Sequence, residues 1–419
     1  MQVRQFAATG SGRILRRIGL YNHVRAIIDF LKPPSYPGTR LTPQRLLNLY
    51  VVRWQRNRIR TQLSGYPLVL TIEPTNVCNL KCPYCFTGAR EVGRDRSMLD
   101  MQMYRGVLDE LGGRLFQIEL YNWGEPLLNK NIYEMIHMAH ARGISTIISS
   151  NLSVPFDEER ARKLVASGLD MLGVSFDGVK QDVYEQYRVG GNVELILKNI
   201  DLINDAKRQL GSKTPQMVWE YHLFPHNLEE VETARAMAHE RDMFFAPSKG
   251  WVYGPDWDPE GTFNGAGYPG RPGPCSFLWE RAVIQNDGGV APCCATFYRE
   301  DDYGAIRGEP SIKLSELEGR TFRHVWNNEH FVKSREMFVS RDRAGGRELV
   351  CYDCPITVVW DRWKKHAASG GAAGTFPQQY AFNDGFNYFF DRKPGRAQQR
   401  PIVDELIPLV ELDKQPAPR

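Results

Sequence analysis

The sequence predicts an α/β fold, a parallel sheet with flanking helices and then a smaller cysteine-bearing unit. Three observations lead there. Between residues 68 and 248, short β-rich runs alternate with helical stretches six times. Strand–helix–strand repetition of this kind is the pattern of a parallel sheet. A Gly/Pro-rich stretch, residues 254–274, then breaks the alternation. The eight cysteines divide across that break, three before it and five after.

The elements follow in order. Residues 13–32 place Ile14, Ile18, Tyr21, Val24, Ile28 and Leu31 on one helical face. "KPPSYPGT" ends that helix. A second helix over about 42–63 opens with Thr42-Pro43 as cap and first-turn proline. Residues 1–65 hold twelve Lys/Arg and one acid, a net +11, so the rest of this +4 chain carries −7. Such an arm suits an anionic membrane surface or a phosphorylated or lipid-linked substrate. The competing reading is two amphipathic helices packed on the main domain. Nucleic acid is disfavoured, because no helix-turn-helix or RNA-binding sheet pattern is present.

The strands are expected at 68–74, 116–123, 145–151, 171–177, 216–224 and 242–248. Helices are expected near 100–112, 130–142, 157–167, 193–210 and 228–240. After the break, "LWERAVIQNDGGVAPCC" reads as a hairpin around Asp-Gly. The tail from 366 opens on "HAASGGAAGTFPQQ". The chain thus divides into a basic helical arm (1–65), an α/β domain (66–253), a linker (254–274), a cysteine-bearing domain (275–365) and a tail (366–419).

With 42% hydrophobic and 24% charged residues, the composition is that of a globular protein. No apolar run reaches the ~20 residues that span a bilayer. "MQVRQFAATGSGRILRRIGL" has no apolar signal core. The expectation is a reducing cytoplasm, with the arm available for peripheral contact at the inner face of a membrane. In that compartment clustered cysteines read as metal ligands rather than disulfides.

"CNLKCPYC", Cys78 to Cys85, follows the first strand. Ligands gather at the C-terminal ends of parallel strands. Cys78, Cys82 and Cys85 cannot close a four-ligand zinc site. Three thiolates suit a 4Fe–4S cluster with one iron left open.

This motif resembles the C-x3-C-x-aromatic-C signature of the radical S-adenosylmethionine (SAM) superfamily. The resemblance implies a partial (βα)6 TIM-like barrel. It also implies that SAM chelates the open iron and is cleaved to methionine and a 5′-deoxyadenosyl radical, which abstracts a hydrogen atom from substrate. "YNWGEP", Tyr121 to Pro126, resembles the family's Gly-Gly-Glu-Pro motif, with Trp123 in place of the first glycine. Gly124 and Glu125 would then serve the SAM amino group. "SSN" and "SFDG" stand at strand ends where the family contacts SAM, which implicates Ser149, Asn151, Ser175 and Asp177. Arg188 corresponds to a carboxylate-binding arginine, whose planar fork suits that task. Tyr84 takes the aromatic position near adenine.

Cys275, Cys293, Cys351 and Cys354 supply four thiolates from three segments, enough for one closed site. A zinc ribbon or zinc-binding scaffold is the competing reading. Gly288 and Cys293, with the Cys351-x2-Cys354 pair, resemble a SPASM or shorter twitch extension holding one auxiliary 4Fe–4S cluster, and the spacing resembles aminocyclitol dehydrogenases of the butirosin type. Cys294 is left over. It would return a hydrogen atom to a substrate radical, or it is a packed small hydrophobe.

A closed auxiliary cluster would accept an electron. The leading expectation is therefore oxidation or epimerisation at a C–H bond of a sugar, polyol or cyclitol. The alternative is a maturase of a ribosomally made peptide, and residues 1–65 lack the strands of a peptide-recognition module. An electron donor such as flavodoxin or ferredoxin is implied. Trp219, Tyr221, His222 and Trp251 are candidate pocket liners. His222 and Asp301, with Asp302 beside it, are candidate proton acceptors.

Overall fold

The computed structural model describes residues 31–91, 93–249, 274–306 and 321–352, together with Cys354, Thr357 and Lys364. Trp251, most of the helix expected over 13–32, the linker up to 273 and the whole tail from 366 lie outside the described residues.

Each helix forms where an apolar stripe meets a cap. Helix α1 (Pro43–Asn57) starts at Thr42, whose side chain accepts from the Arg45 N–H, and Pro43 takes the first turn. It ends six residues short of the expected 63, at a turn carried by Arg58 and Ile59 (φ +47°). In α2 (Met101–Leu111), Asp100 caps two N–H groups, and Met103, Tyr104, Val107, Leu108 and Leu111 form the buried stripe. Helices α3 (Ile132–Ala141), α4 (Glu158–Ala166) and α5 (Gln181–Tyr187) follow. The last is too short to read from periodicity. Helix α6 (Val193–Leu210) is capped by Asn192 and buries Val193, Ile196, Ile200 and Ile203. Each such side chain contributes about 1.5–3 kcal/mol. Gly211, at φ +61°, ends the helix in the left-handed conformation that glycine favours. Helix α7 (Val231–Glu240) completes this set.

The strands are β1 (Val69–Ile72), β2 (Gln117–Glu119), β3 (Ser145–Ser150), β4 (Met171–Ser175), β5 (Gln216–Leu223) and β6 (Met243–Lys249). All pair in parallel, in the spatial order of the chain. The sheet continues on the other side of β1. There β7 (Arg281–Ile284) pairs in parallel with Val69–Ile72, then β8 (Gly289–Ala291) and β9 (Gly304–Ala305) pair antiparallel. The Asp-Gly hairpin expected near 288 is therefore present, and it extends the barrel sheet. Short helix α8 (Ser276–Trp279) precedes β7, and α9 (Phe322–Trp326) and α10 (Glu329–Ala344, broken at Ser340) follow β9.

Strand alternation separates two environments. One face buries Leu70, Ile72, Ile118, Leu120, Ile148, Leu172, Val174, Met217, Trp219 and Tyr221 in the main core with the helices. Trp219 and Tyr221 are fully buried there, so neither lines a pocket: their places in β5 put them on the helix side. The other face carries Thr71, Glu119, Ser149, Gly173, Ser175, Glu220 and Arg281, related by strand register. Ile147, Met171 and Val218, with Tyr121 and Ala246 against them, form its apolar floor.

Helix α1 covers the start of β1 and β2 through Leu49 and Val52 against Leu68, Val69 and Phe116. Its Arg45 is only 2% exposed and donates to the carbonyls of Leu115 (2.6 Å), Arg40 (2.6 Å), Gly112 (3.1 Å) and Arg142 (2.9 Å). Arg56 pairs with Glu280 at 3.0 Å and donates to the Pro274 carbonyl. These two basic residues of the arm therefore serve packing.

Candidate active site

The loop after β1 carries Cys78, Cys82 and Cys85 across the C-terminal end of the sheet. Burial pushes the Cys78 thiol up to about 12, and Glu125, Cys82 and Cys85 add to the effect. Burial also raises Cys82, opposed by the Arg188 guanidinium that hydrogen-bonds to it. A bound cation reverses that logic, because it favours the thiolates. Asn151 brings its Nδ2 within 3.8 Å of the Cys78 sulfur and donates to Asn79 Oδ1 at 3.0 Å. The Cys85 sulfur lies 4.0 Å from the Trp123 carbonyl oxygen.

Residues from β4, α5 and β5 meet beside this loop. Asp177, fully buried, receives Arg188 Nε on Oδ2 at 2.6 Å. Its Oδ1 accepts from the His222 N–H at 2.7 Å and lies 3.0 Å from His222 Nδ1. Burial would raise Asp177, but Arg188 and His222 prevail and hold it down at about 2. Arg188 is raised well above its ordinary value despite burial, by Asp177 and Cys82.

Glu125 turns inward. Its Oε1 accepts from Leu127 N (3.0 Å) and Ser150 Oγ (2.8 Å), and Oε2 accepts from Asn151 N (2.8 Å). At 2% exposure, its visible task is to join the Gly124 loop to the end of β3. Gly124 itself lies against the Thr75 carbonyl, where a Cβ would collide. Tyr84 is half-buried against the edge of the core.

Inside the barrel, Ser149 Oγ donates to Glu220 Oε2 at 2.6 Å, and Ser175 Oγ does so at 3.2 Å. Gly173 makes room, since a Cβ there would lie 2.5 Å from Glu220 Oε1. Glu119 pairs with Arg281 and accepts from Thr71 Oγ1 at 2.8 Å. Burial, with Glu119 and Glu220 nearby, pushes the Tyr121 hydroxyl far up. Sequence reasoning missed Glu119, Glu220 and Arg281. Their one signal was a charge inside otherwise apolar strands, as in "VWEYHL".

The second thiol set also assembles. Cys275 is raised by burial and by the fields of Cys351 and Cys354. Cys293 is raised by burial and by Cys294, Cys351 and Cys275. Burial lifts Cys351 to about 11, against hydrogen bonds from Tyr303 and Ser334. Tyr303 and Ser334 hydroxyls are 2.7 Å apart. Of the eight cysteines only Cys294 is exposed, yet it stands in the fields of Arg281, Glu119 and Tyr121. Asp301 sits half-exposed in a 3-10 turn (Arg299–Asp301), while Asp302 is held on both oxygens by Arg94 at 2.8 Å.

Among the described residues, no three His, Cys, Asp or Glu side chains converge as they would around one metal ion. The two thiol sets are each within electrostatic reach instead, one on a single loop and one from three segments. Thiol-only donor sets fit iron–sulfur clusters.

Residues 72–237 match the radical SAM superfamily, and residues 275–355 match the iron–sulfur cluster-binding SPASM domain. Over 107 residues the chain is 32% identical to Fe-coproporphyrin III synthase of Methanosarcina barkeri, covering 26% of each protein. Over 138 residues it is 30% identical to PqqA peptide cyclase of Bradyrhizobium diazoefficiens, covering 33% of this chain and 35% of that one. The matches thus span about a third or less of these curated relatives. Streptococcus suis SuiB shares the fold, with TM-score 0.51 and 14% identity over 91% of this chain and 90% of that structure. Domains of these two kinds imply SAM, a SAM-binding 4Fe–4S cluster and auxiliary iron–sulfur ligation. The chain therefore carries a radical SAM domain over residues 72–237, followed by a SPASM iron–sulfur cluster-binding domain over residues 275–355.

Proposed function

We propose that this radical SAM enzyme removes a hydrogen atom from a C–H bond of a sugar, polyol or cyclitol held in the barrel lumen, and oxidises that carbon. One observation carries the reading. The thiols of Cys275, Cys293, Cys351 and Cys354 stand within electrostatic reach of one another, so a cluster held by all four would have every iron ligated and would be suited to electron exchange. When bound, SAM supplies the 5′-deoxyadenosyl radical and the auxiliary cluster an electron acceptor. Cys78, Cys82 and Cys85 would hold the first cluster. Ser149, Asn151, Ser175 and Arg188 would orient SAM, with Tyr84 near its adenine, and Glu125 would hold the loop that presents Gly124. Glu220 would accept substrate hydroxyls. His222 Nδ1 lies 3.0 Å from Asp177 Oδ1, and with a proton held between them Nε2 would be left to take the proton released on oxidation. Cys294 would return a hydrogen atom if the outcome were epimerisation.

A second reading is peptide maturation, supported by the similarity to PqqA peptide cyclase. The test is anaerobic incubation of reconstituted enzyme with SAM and reduced flavodoxin. A cyclitol panel and a peptide panel are run side by side in deuterated water. Loss of two hydrogens from a cyclitol supports oxidation. Deuterium gain without mass loss supports epimerisation through Cys294. Modification of peptides alone would sink the sugar reading.

No helix among the described residues is long and apolar enough to cross a membrane. Any peripheral contact would rest on the basic residues ahead of α1. Liposome flotation of the full chain against one lacking residues 1–40 tests it, and equal recovery would end the idea.

A further inference from the structure

We propose that Trp123 and Thr296 form the electron path between the two cluster sites. The inference rests on the two-cluster reading above and goes beyond it by naming the connection.

Three contacts compose the path. The Trp123 carbonyl lies 4.0 Å from the Cys85 sulfur. The Trp123 indole Nε1 donates to the Thr296 carbonyl at 2.9 Å. Thr296 Oγ1 donates to the Cys293 carbonyl at 2.8 Å. Two residues therefore separate a ligand of the first set from a ligand of the second. The link is stiff. Trp123 N–H donates to Glu73 Oε1 at 3.0 Å, and Gln285 also donates to the Thr296 carbonyl at 3.2 Å. Phe86, next to Cys85, stacks on Phe297, next to Thr296, with ring centroids 5.1 Å apart. Trp123 packs edge-on to both, at 4.9 and 5.9 Å.

Trp123 stands where the superfamily's Gly-Gly-Glu-Pro pattern has a glycine, which could not make this bridge. Bonds and short hydrogen bonds couple redox centres better than the same span of open space. The electron balance closes through it. Cleaving SAM takes one electron from the first site. The substrate radical, having lost one hydrogen atom, loses a proton and gives one electron to the second site. Returned through Thr296 and Trp123, that electron restores the first. The sum converts SAM and substrate to methionine, 5′-deoxyadenosine, substrate oxidised by two electrons and one proton, with no outside oxidant.

The test omits substrate and SAM. Protein with both clusters loaded, verified by iron and sulfide content, receives less than one electron per chain from flash-photoreduced deazaflavin. Freeze-quench EPR then follows the partition of that electron between the two cluster signals. Trp123→Phe keeps a ring but lacks the N–H, and Thr296→Val keeps the shape but lacks the hydroxyl. Both should reach the wild-type final partition severalfold more slowly. Wild-type rates in both variants would overturn the path. So would a changed final partition at wild-type rate, which would make these residues tuners of potential. Iron at the first site alone would instead overturn the two-cluster reading, and the iron count reports that before any flash.

Discussion

Arg188 Nε meets Asp177 Oδ2 at 2.6 Å, and the same guanidinium reaches the buried Cys82 thiol. One arginine thus joins the first thiol loop to the end of β4.

Removing the carboxylate should be costly. Asp177→Asn leaves Arg188 charged and buried without its counterion, a change of about 3–5 kcal/mol. The pH dependence has a definite sign. Asp177 is held at about 2, below its ordinary 3.8. Its contribution, about 2 kcal/mol, is present above the ordinary value and lost as pH falls from about 4 to 2. Denaturant unfolding of wild type and variant across that window checks both, and the variant should lack the step.

Glu73 predicts the opposite slope. Burial pushes it up to about 7, against hydrogen bonds from the Trp123 and Asn286 N–H groups. A carboxyl raised in the folded state binds its proton more tightly there. Folding stability should therefore fall as pH rises from about 4.5 to 7, by about 3 kcal/mol. Glu73→Gln should flatten that dependence, measured by unfolding midpoints between pH 5 and 8.

Glu220 should matter to substrate and little to folding. Its carboxylate is half-buried, and its hydrogen-bond partners are the Ser149 and Ser175 hydroxyls. If Glu220 receives substrate hydroxyls as proposed, Glu220→Gln should weaken those charge-assisted bonds and lower kcat/KM roughly 10–100-fold. SAM should perturb the cluster EPR signal as in wild type. A lost SAM effect would instead assign Glu220 to the cofactor.

Arg45 tests the role of the basic arm. Arg45→Met removes donors from four carbonyls at the base of the barrel. Leaving several buried acceptors unpaired should cost on the order of 3 kcal/mol or more. Thermal unfolding should show a clear drop. An unchanged midpoint would mean water replaces the side chain.

Much of this was legible because it is local. The six strand–helix repeats, the cap at Thr42, the Asp-Gly hairpin and the thiol spacing of Cys78, Cys82 and Cys85 all depend on neighbours within a few residues. The C-terminal end of α1 and the short helix α5 were less so, since a single turn has no period to read.

What the amino-acid order determined by itself was the parallel alternation, the thiol loop after the first strand and five further thiols beyond the break. Tertiary structure decided the rest. Pairing of β7 with β1 joins segments more than two hundred residues apart, and no local pattern encodes such a partner. That pairing brings Arg281 to Glu119, with Cys294 in the field of both, and it sets Thr296 against Trp123. The register of β5 between β4 and β6 sent Trp219 and Tyr221 to the core and Glu220 to the opposite face, because on a strand one position's shift exchanges the two faces. Buried charges need partners, and here the partners are supplied by distant strands rather than adjacent residues.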